Sequence, residues 1–519
     1  MRLGARAYQT EWSLHAWIGV VCSVLAFVSF FCGVFALFRS ELTIWQDPAL
    51  HRQLGATEQR LSYEALLARV REQRTLPTGA RVAFTRYEAS HWVAVLIHDP
   101  ATQRDTELWI EPQTGRVREG YSRLADELYE MHFVYQLPFG SEIAGVAAMA
   151  FFIASLTGIL IHLKDLRRAL WRFRPQLRLR FSSSDAHKVL GVFGLPFALM
   201  YAWTGTLLGL LTVLSGIVTT LVLPGDVSPG DASGSIGSEA ELVRPMAASA
   251  PLDAWIERAR TAVPERLVQL VVLDGWAQHG SILGVYFTGS SLVDSPFVEI
   301  DAETGALIRI ASGAESPLDR ANRVMFDLHY ATYGGLLLKV LYAVLTYGTC
   351  AVIVTGNLIW LERRDPARRR AANRFLERTT IAVPGGLALA SAGYFALNRL
   401  LPESLAQRAH WEFGLFLMIW AVAAIAAYCP RVLARHAAGG LCCAASVLLF
   451  AVLLLELLQR RVPSSLSPTH AELSLWIVDG LLLALAIGSA ALGRRSLRHA
   501  RSSAVEAAPI LSTNTRTST

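Results

Sequence analysis

The sequence predicts an all-α polytopic membrane protein of about eight spanning helices, with two small α+β domains outside the bilayer. Three observations predict it. The composition is too apolar for a soluble chain, eight uncharged runs are long enough to cross a bilayer, and two long polar segments between spans alternate like strands. Of 519 residues, 53% are hydrophobic and 17% charged, with a mean hydropathy of +0.36, whereas soluble domains carry closer to a quarter charged residues. A bilayer core takes about 20 apolar residues in a helix, and such runs lie at 16–38, 143–163, 189–223, 336–361, 380–400, 411–429, 439–458 and 474–492. The first is too long for a signal peptide and lacks a small-x-small cleavage site, so it is expected to be a signal anchor. The third is long enough to tilt or project.

The net charge of +6 belongs to a few loops. Lys164, Arg167, Arg168, Arg172, Arg174, Arg178 and Arg180 follow the second run, and Arg363, Arg364, Arg368, Arg369, Arg370 and Arg374 the fourth. Arg431 and Arg435 follow the sixth, and Arg494, Arg495, Arg498 and Arg501 the eighth. The positive-inside rule makes these loops and both termini cytoplasmic, with the polar segments on the outer side. Juxtamembrane arginines answer to topology and the lipid bilayer, so no nucleic-acid partner is expected.

The chain therefore divides into a cytoplasmic N-terminus and first span (1–38), a first outer domain (39–135), and two spans around a basic loop (136–223). A second outer domain (224–330), a fourth span with its basic loop (331–375), a four-helix membrane region (376–495) and a disordered cytoplasmic tail (496–519) follow. All six cysteines lie in or beside the spans, so no disulfide framework holds the outer domains.

Within those domains, Ile110-Glu111-Pro112-Gln113-Thr114-Gly115-Arg116-Val117 parallels Ile300-Asp301-Ala302-Glu303-Thr304-Gly305-Ala306-Leu307. Each is expected to be a strand, a tight turn at a glycine of positive φ, and a second strand. Amphipathic helices near 61–73 and 252–263 precede them, with strands such as Val82–Arg86, Trp92–His98 and Val268–Leu273. Downstream, Leu128–His132 leads to Thr157-Gly158, and Met325–His329 leads to Thr355-Gly356. The unit of span, outer domain and span thus occurs twice, a tandem repeat whose functional site is expected between its copies.

These motifs, with the Leu14-His15-x-x-x-Gly19 opening, resemble the bacterial inner-membrane proteins that carry PepSY domains and PepSY-associated transmembrane helices. The resemblance covers roughly residues 10–365. It implies two PepSY-like extracytoplasmic domains in a TM–PepSY–TM repeat. The family includes iron-regulated proteins and haem-containing reductases of ferric siderophores.

Five histidines belong to the repeat. His15 and His187 open matching patterns, His15-x-x-x-Gly19 closing on Gly33 and His187-x-x-x-Gly191 closing on Gly205, both over 18 residues. His162 ends the second run, one helical turn after Gly158. His132 and His329 precede the second and fourth runs, and Gly356 lies in the fourth. Ionisable groups near hydrocarbon are costly and suggest function, and neutral imidazole is a standard axial ligand of haem iron. A compact metal site would want His or carboxylate pairs one turn apart, which the spans lack.

The expectation is two haems b. One draws its ligands from His15, His162 and His187 near the cytoplasmic side, and the other lies between His132 and His329 outside. Gly19, Gly33, Gly158, Gly191, Gly205 and Gly356 would leave room for porphyrin. Lys164, Arg167 and Lys188 inside, and Arg320 or Arg323 outside, would meet the propionates. Among three inner candidates for ligation the sequence does not choose.

The bland alternatives are boundary histidines satisfied by water or lipid, and Gly-x-x-x-small spacings that serve helix packing. Glu456 and Asp479 are expected to snorkel to the interface. Trp12, Trp17, Trp45, Trp171 and Trp203 are expected to form an interfacial belt.

Two haems across a bilayer imply electron transfer from a cytoplasmic or membrane donor to a periplasmic acceptor. The resemblance makes that acceptor a ferric siderophore or other ferric chelate, and the activity that of an oxidoreductase. No glycine fingerprint for a nicotinamide or flavin cofactor is evident, so a separate reductase or quinol must supply the electrons. A haem-free siderophore or iron permease subunit, and a PepSY-based regulator of an extracytoplasmic protease, are the alternatives. Either would leave the protein colourless.

Overall fold

A computed structural model describes residues 4–51, 60–86, 92–102, 104–119, 121–162, 179–211, 213–214, 217, 251–289, 296–311, 317–331, 333–363, 370–430, 432, 434–459 and 470–507. Among the described residues the chain is mostly helical, with seven helices long and apolar enough to cross a membrane, or eight if one bent pair is a single span, and one small antiparallel sheet.

Helix α1 (Ala5–Leu37) runs directly into the short α2 (Arg39–Gln46). Helix α3 (Tyr63–Gln73) and strands β1 (Arg81–Arg86), β2 (Val93–Asp99), β3 (Arg104–Ile110) and β4 (Val117–Glu119) follow. Next come α4 (Leu124–His132), α5 (Gly140–His162), α6 (Leu179–Phe193) and α7 (Leu195–Gly209). Helix α8 (Leu252–Ala262) and strands β5 (Val268–Asp274), β6 (Ile282–Phe287), β7 (Phe297–Asp301) and β8 (Leu307–Ala311) follow. The chain continues with α9 (Pro317–Tyr330), α10 (Gly335–Glu362), α11 (Arg370–Leu400), α12 (Arg408–Tyr428), α13 (Ala434–Gln459) and α14 (His470–Ala507).

The eight strands form one sheet, β4-β3-β2-β1-β5-β6-β7-β8, rather than two separate ones. The join is β1 against β5, Val82 opposite Leu273 through Thr85 opposite Leu270. Both would otherwise be edge strands with open backbone groups, and pairing them removes two edges at once. One core under α3 and α8 covers both sets of four strands, with Leu66, Val70, Ile256, Val271 and Val285 buried. The two helices cap each other: Asp253 accepts from the backbone N–H of Tyr63 and Glu64, while Glu64 accepts from that of Asp253. Both glycines of the matching turns have φ +71°, and the acid four residues before each accepts from the turn threonine. That is why the pattern needs an acid, a threonine and a glycine at those places.

Below the sheet, α1 is central and packs on α5 and α10, while α5 packs on α7 and α6 on α10. The third span departs from the single run expected over 189–223. Residues 183–193 and 195–209 form two helices bent by 69° at Gly194. Pro196, in the first turn of α7, has no N–H and its ring would clash with the carbonyl four residues back in a continuous helix, which favours a break there. Residues beyond 217 of that run, and the loop cations Lys164, Arg167, Arg168, Arg172, Arg174 and Arg178, lie outside the described residues. At the other end α14 continues to Ala507, well into the tail expected to be disordered from 496. The segment Ser496–Ala507 includes Leu497, Arg498, Ala500, Arg501, Ala504, Glu506 and Ala507, all good helix formers.

Helices α11–α14 pack on one another, and α11 also packs on α1 and α10. Their sheet-side ends correct two expectations. Glu456 does not snorkel: it is buried and ion-paired with Arg399. Trp45 is not in an interfacial belt: it is fully buried beneath the Arg399 guanidinium and donates to Asp479 at 3.2 Å.

Candidate functional site

The structure brings four of the five expected histidines together in two pairs, one near each end of the helical region. At the end far from the sheet, His15 of α1 and His187 of α6 have ring centres 6.1 Å apart, at 75°. At the sheet end, His132 of α4 and His329 of α9 have ring centres 5.9 Å apart, at 48°.

Each ring is fixed through Nδ1. His15 donates to the Ala154 carbonyl at 2.7 Å, His187 to that of Val352 at 2.9 Å, and His132 to that of Ser29 at 2.7 Å. The fourth, His329, meets the Thr204 hydroxyl at 2.8 Å. A carbonyl can only accept, so in His15, His187 and His132 the proton sits on Nδ1 and the lone pair on Nε2. This is the orientation that a metal-ligating histidine takes from its second hydrogen bond. His132 and His329 lie outside the spanning helices, and burial pushes the pKa of both down, that of His329 to about 3. They are neutral imidazoles at physiological pH.

The glycines explain how the rings fit. A Cβ on Gly158 would stand 3.2 Å from Cε1 of His15, one on Gly356 3.2 Å from Cε1 of His187, and one on Gly33 2.9 Å from Nδ1 of His132. At Gly205 there is no clash: the nearest atom is Ala148 Cβ at 3.4 Å, with His329 at 4.0 Å. The room at Gly158, Gly356 and Gly33 is therefore taken by an imidazole of a neighbouring helix. Gly158 serves His15, on another helix, and not His162 one turn away on its own. Gly19 and Gly191 face open space and line the far-side cavity. Thr157 and Thr355, next to two of these glycines, lie 3.4 and 3.3 Å from the Nδ1 atoms of His15 and His187.

Each pair opens on a cavity. The far-side cavity, about 550 Å³, is lined by His15, His187 and His162 and carries Lys188 and Arg363. His162 is thus in the same cavity but outside the pair. Its counterpart Trp360 also lines the wall, edge-on to Trp17 at 4.8 Å. The sheet-side cavity, about 330 Å³, is lined by small residues and by Tyr129, Phe133, Tyr201, Phe326 and Tyr330. Neither Arg320 nor Arg323 is among its described lining residues.

Sequence reasoning missed the carbonyls of Ser29, Ala154 and Val352, which carry no side-chain signal, and, although Thr204-Gly205 closes the His187 pattern, it did not give the contact of Thr204 with His329. It also missed the aromatic wall of the sheet-side cavity. Among the described residues, no group of three or more His, Cys, Asp or Glu is placed to hold a metal ion.

The family model of the PepSY-associated TM region matches residues 12–363. An uncharacterized protein of Pseudomonas aeruginosa is 28% identical over 305 residues, 56% of this chain and 75% of that protein. The matched stretch contains all four paired histidines and ends at the close of α10.

Proposed function

We propose that this chain, which belongs to the family of the PepSY-associated TM region, is an inner-membrane b-type dihaem protein. It passes electrons from a cytoplasmic or membrane donor to a periplasmic ferric chelate, such as a ferric siderophore. The far-side pair is then cytoplasmic, the sheet periplasmic, and the two halves of the sheet are the PepSY-like domains of a tandem repeat.

The observation that carries this reading is the spacing and orientation of the two histidine pairs. Two imidazoles that each held one metal ion through a ring nitrogen at about 2 Å would have ring centres about 6 Å apart. The pairs stand at 6.1 and 5.9 Å, and in His15, His187 and His132 the lone-pair nitrogen is the one not tied to a backbone carbonyl. The donor set fits haem better than a compact metal site, which needs three or four ligands. His15 and His187 would hold one haem, and His132 and His329 the other. Lys188 and Arg363 offer cations to carboxylates in the far-side cavity.

Haem iron, when bound, supplies a one-electron carrier whose potential depends on its ligands and burial. The chain's own part is to fix the four rings beside the two cavities. Reduction is a suitable chemistry for iron release because hard oxygen ligands hold ferric iron far more tightly than ferrous. One electron, supplied by a separate reductase or by quinol, converts Fe³⁺ of the chelate to Fe²⁺.

The test is a spectrum of the purified protein with a count of haem. A dithionite-reducible bis-histidine b-type spectrum with two haems per chain is expected. Alanine at His15 or His187 should remove one haem, and alanine at His132 or His329 the other. His162→Ala should keep both. A colourless protein from haem-replete cells overturns the reading, and so does full haem retention in all four paired-histidine variants.

A further inference from the structure

The geometry points to a role for the four C-terminal helices, which lie beyond the family match: they clamp the helix that carries His132. The proposal rests on the haem reading only for part of its readout.

Helix α4 has nine residues, Leu124 to His132, so its N-terminus stands about 12 Å from the ligand candidate at its other end. The N-cap residue, Arg123, makes no side-chain cap. The orphan N–H groups are met from outside the helix instead. Ser122 Oγ accepts from the Leu124 N–H at 3.2 Å, and Gln46 Oε1 accepts from that of Ala125 at 2.8 Å. Gln46 also donates to the Ser122 carbonyl at 3.1 Å.

Both capping residues are held by the C-terminal helices. Ser122 Oγ donates to Glu412 of α12 at 2.6 Å, and Glu412 is fully buried. Asn398 of α11, also fully buried, donates to the other Glu412 oxygen at 3.4 Å. Arg408 pairs with Glu412 at 2.5 Å, donates to the Tyr121 carbonyl at 3.0 Å and lies 4.0 Å from the Tyr121 ring centre. Arg399 donates to the carbonyls of Trp45 and Gln46 at 2.6 and 3.4 Å while pairing with Glu456 of α13. Asp479 of α14 accepts from Trp45. Each of the four helices thus contributes a side chain to one buried polar cluster around the entry to α4.

Apolar residues would glue these helices together at lower cost, because buried charges surrender their hydration. What charges can add is specificity of arrangement, because a buried donor without its acceptor is costly; in this cluster Arg408 Nε has none among the described residues. Here that arrangement sets the position of α4, and with it the ring of His132. Ser122 and Glu412 are positioning residues: they act on His132 through the helix and touch no ligand.

The test uses the full chain in lipid nanodiscs with Ser122→Ala, Ser122→Thr and Glu412→Gln, read by hydrogen exchange of α4 and by the spectrum and midpoint potential of each haem. Ser122→Ala and Glu412→Gln should exchange the first α4 amides at least tenfold faster. They should also shift, or convert to high spin, only the signal that His132→Ala removes, leaving the His15–His187 signal alone. Ser122→Thr, which keeps the hydroxyl, should restore both readouts. Wild-type exchange in Ser122→Ala and Glu412→Gln overturns the clamp, as does faster exchange with an unshifted sheet-side signal. Should Glu412→Gln fail to fold, Ser122→Ala decides. Faster α4 exchange in a chain that is colourless even as wild type leaves the clamp standing and removes the haem reading instead.

Discussion

At the scale of single residues, the glycines rank themselves. A methyl added at Gly33 would meet Nδ1 of His132 at 2.9 Å, and that atom is tied to the Ser29 carbonyl and cannot yield freely. At Gly205 the nearest atom is Cβ of Ala148 at 3.4 Å, an ordinary contact, with His329 at 4.0 Å. Overpacking costs roughly 1–3 kcal/mol when neighbours cannot move. Gly33→Ala is therefore expected to lose most of the sheet-side haem, and Gly205→Ala little, as read by haem per chain and the bis-histidine signal. Equal losses would mean the glycines do not act by making room for imidazole. Sequence periodicity could place a glycine one turn from His162 because both are on one helix. That the same glycine faces His15 depends on how α1 packs against α5, and a single sequence holds no record of that contact.

At the scale of elements, alternation and turn chemistry made the strands and the two glycine turns legible, while pairing between them was not. Strands β1 and β5 are alternating segments bounded by loops, and nothing in either one names the other as its neighbour. The break at Gly194 was present in the sequence as Gly-Leu-Pro, but the apolar run around it outweighed it. Strand β3 carries a consequence in pH. Burial, reinforced by Asp126 and opposed by Arg39 and Arg123, raises the carboxyl of the partly buried Glu107 from 4.5 to about 7. A folded-state pKa above the unfolded one means that the fold binds the proton more tightly. Stability from this group is full below about pH 4.5 and is lost as pH rises through about 7. Glu107→Gln removes that dependence. Its stability advantage over wild type should grow across this window to on the order of 2 kcal/mol, measurable as thermal melting of the full chain at pH 5 and pH 8. A constant difference at both values would place the Glu107 pKa near its ordinary value.

At the scale of the whole molecule, membrane character and the division of the histidines into His132 with His329 and a second group at the other end were readable, because hydropathy and position in the chain are local properties. Which two of His15, His162 and His187 form the second pair was not, since it arises from helices meeting, and neither was the purpose of the last four helices. The two pairs meet α1 at His15 and at Ser29 to Gly33, and so lie about 21–27 Å apart along its axis, close to a hydrocarbon core of about 30 Å. Under the proposed function the two sites then differ in which aqueous phase they can serve. In vesicles with the sheet facing outward, an impermeant ferric chelate added outside should reoxidise the prereduced wild type quickly. A chain lacking His15 and His187 retains the sheet-side pair and should react as fast, but with half the absorbance change. A chain lacking His132 and His329 should keep a reducible spectrum yet react at least tenfold more slowly, because its remaining site lies at the far end of the helices. The reverse ranking would place the sheet on the donor side of the membrane and invert the proposed direction of transfer.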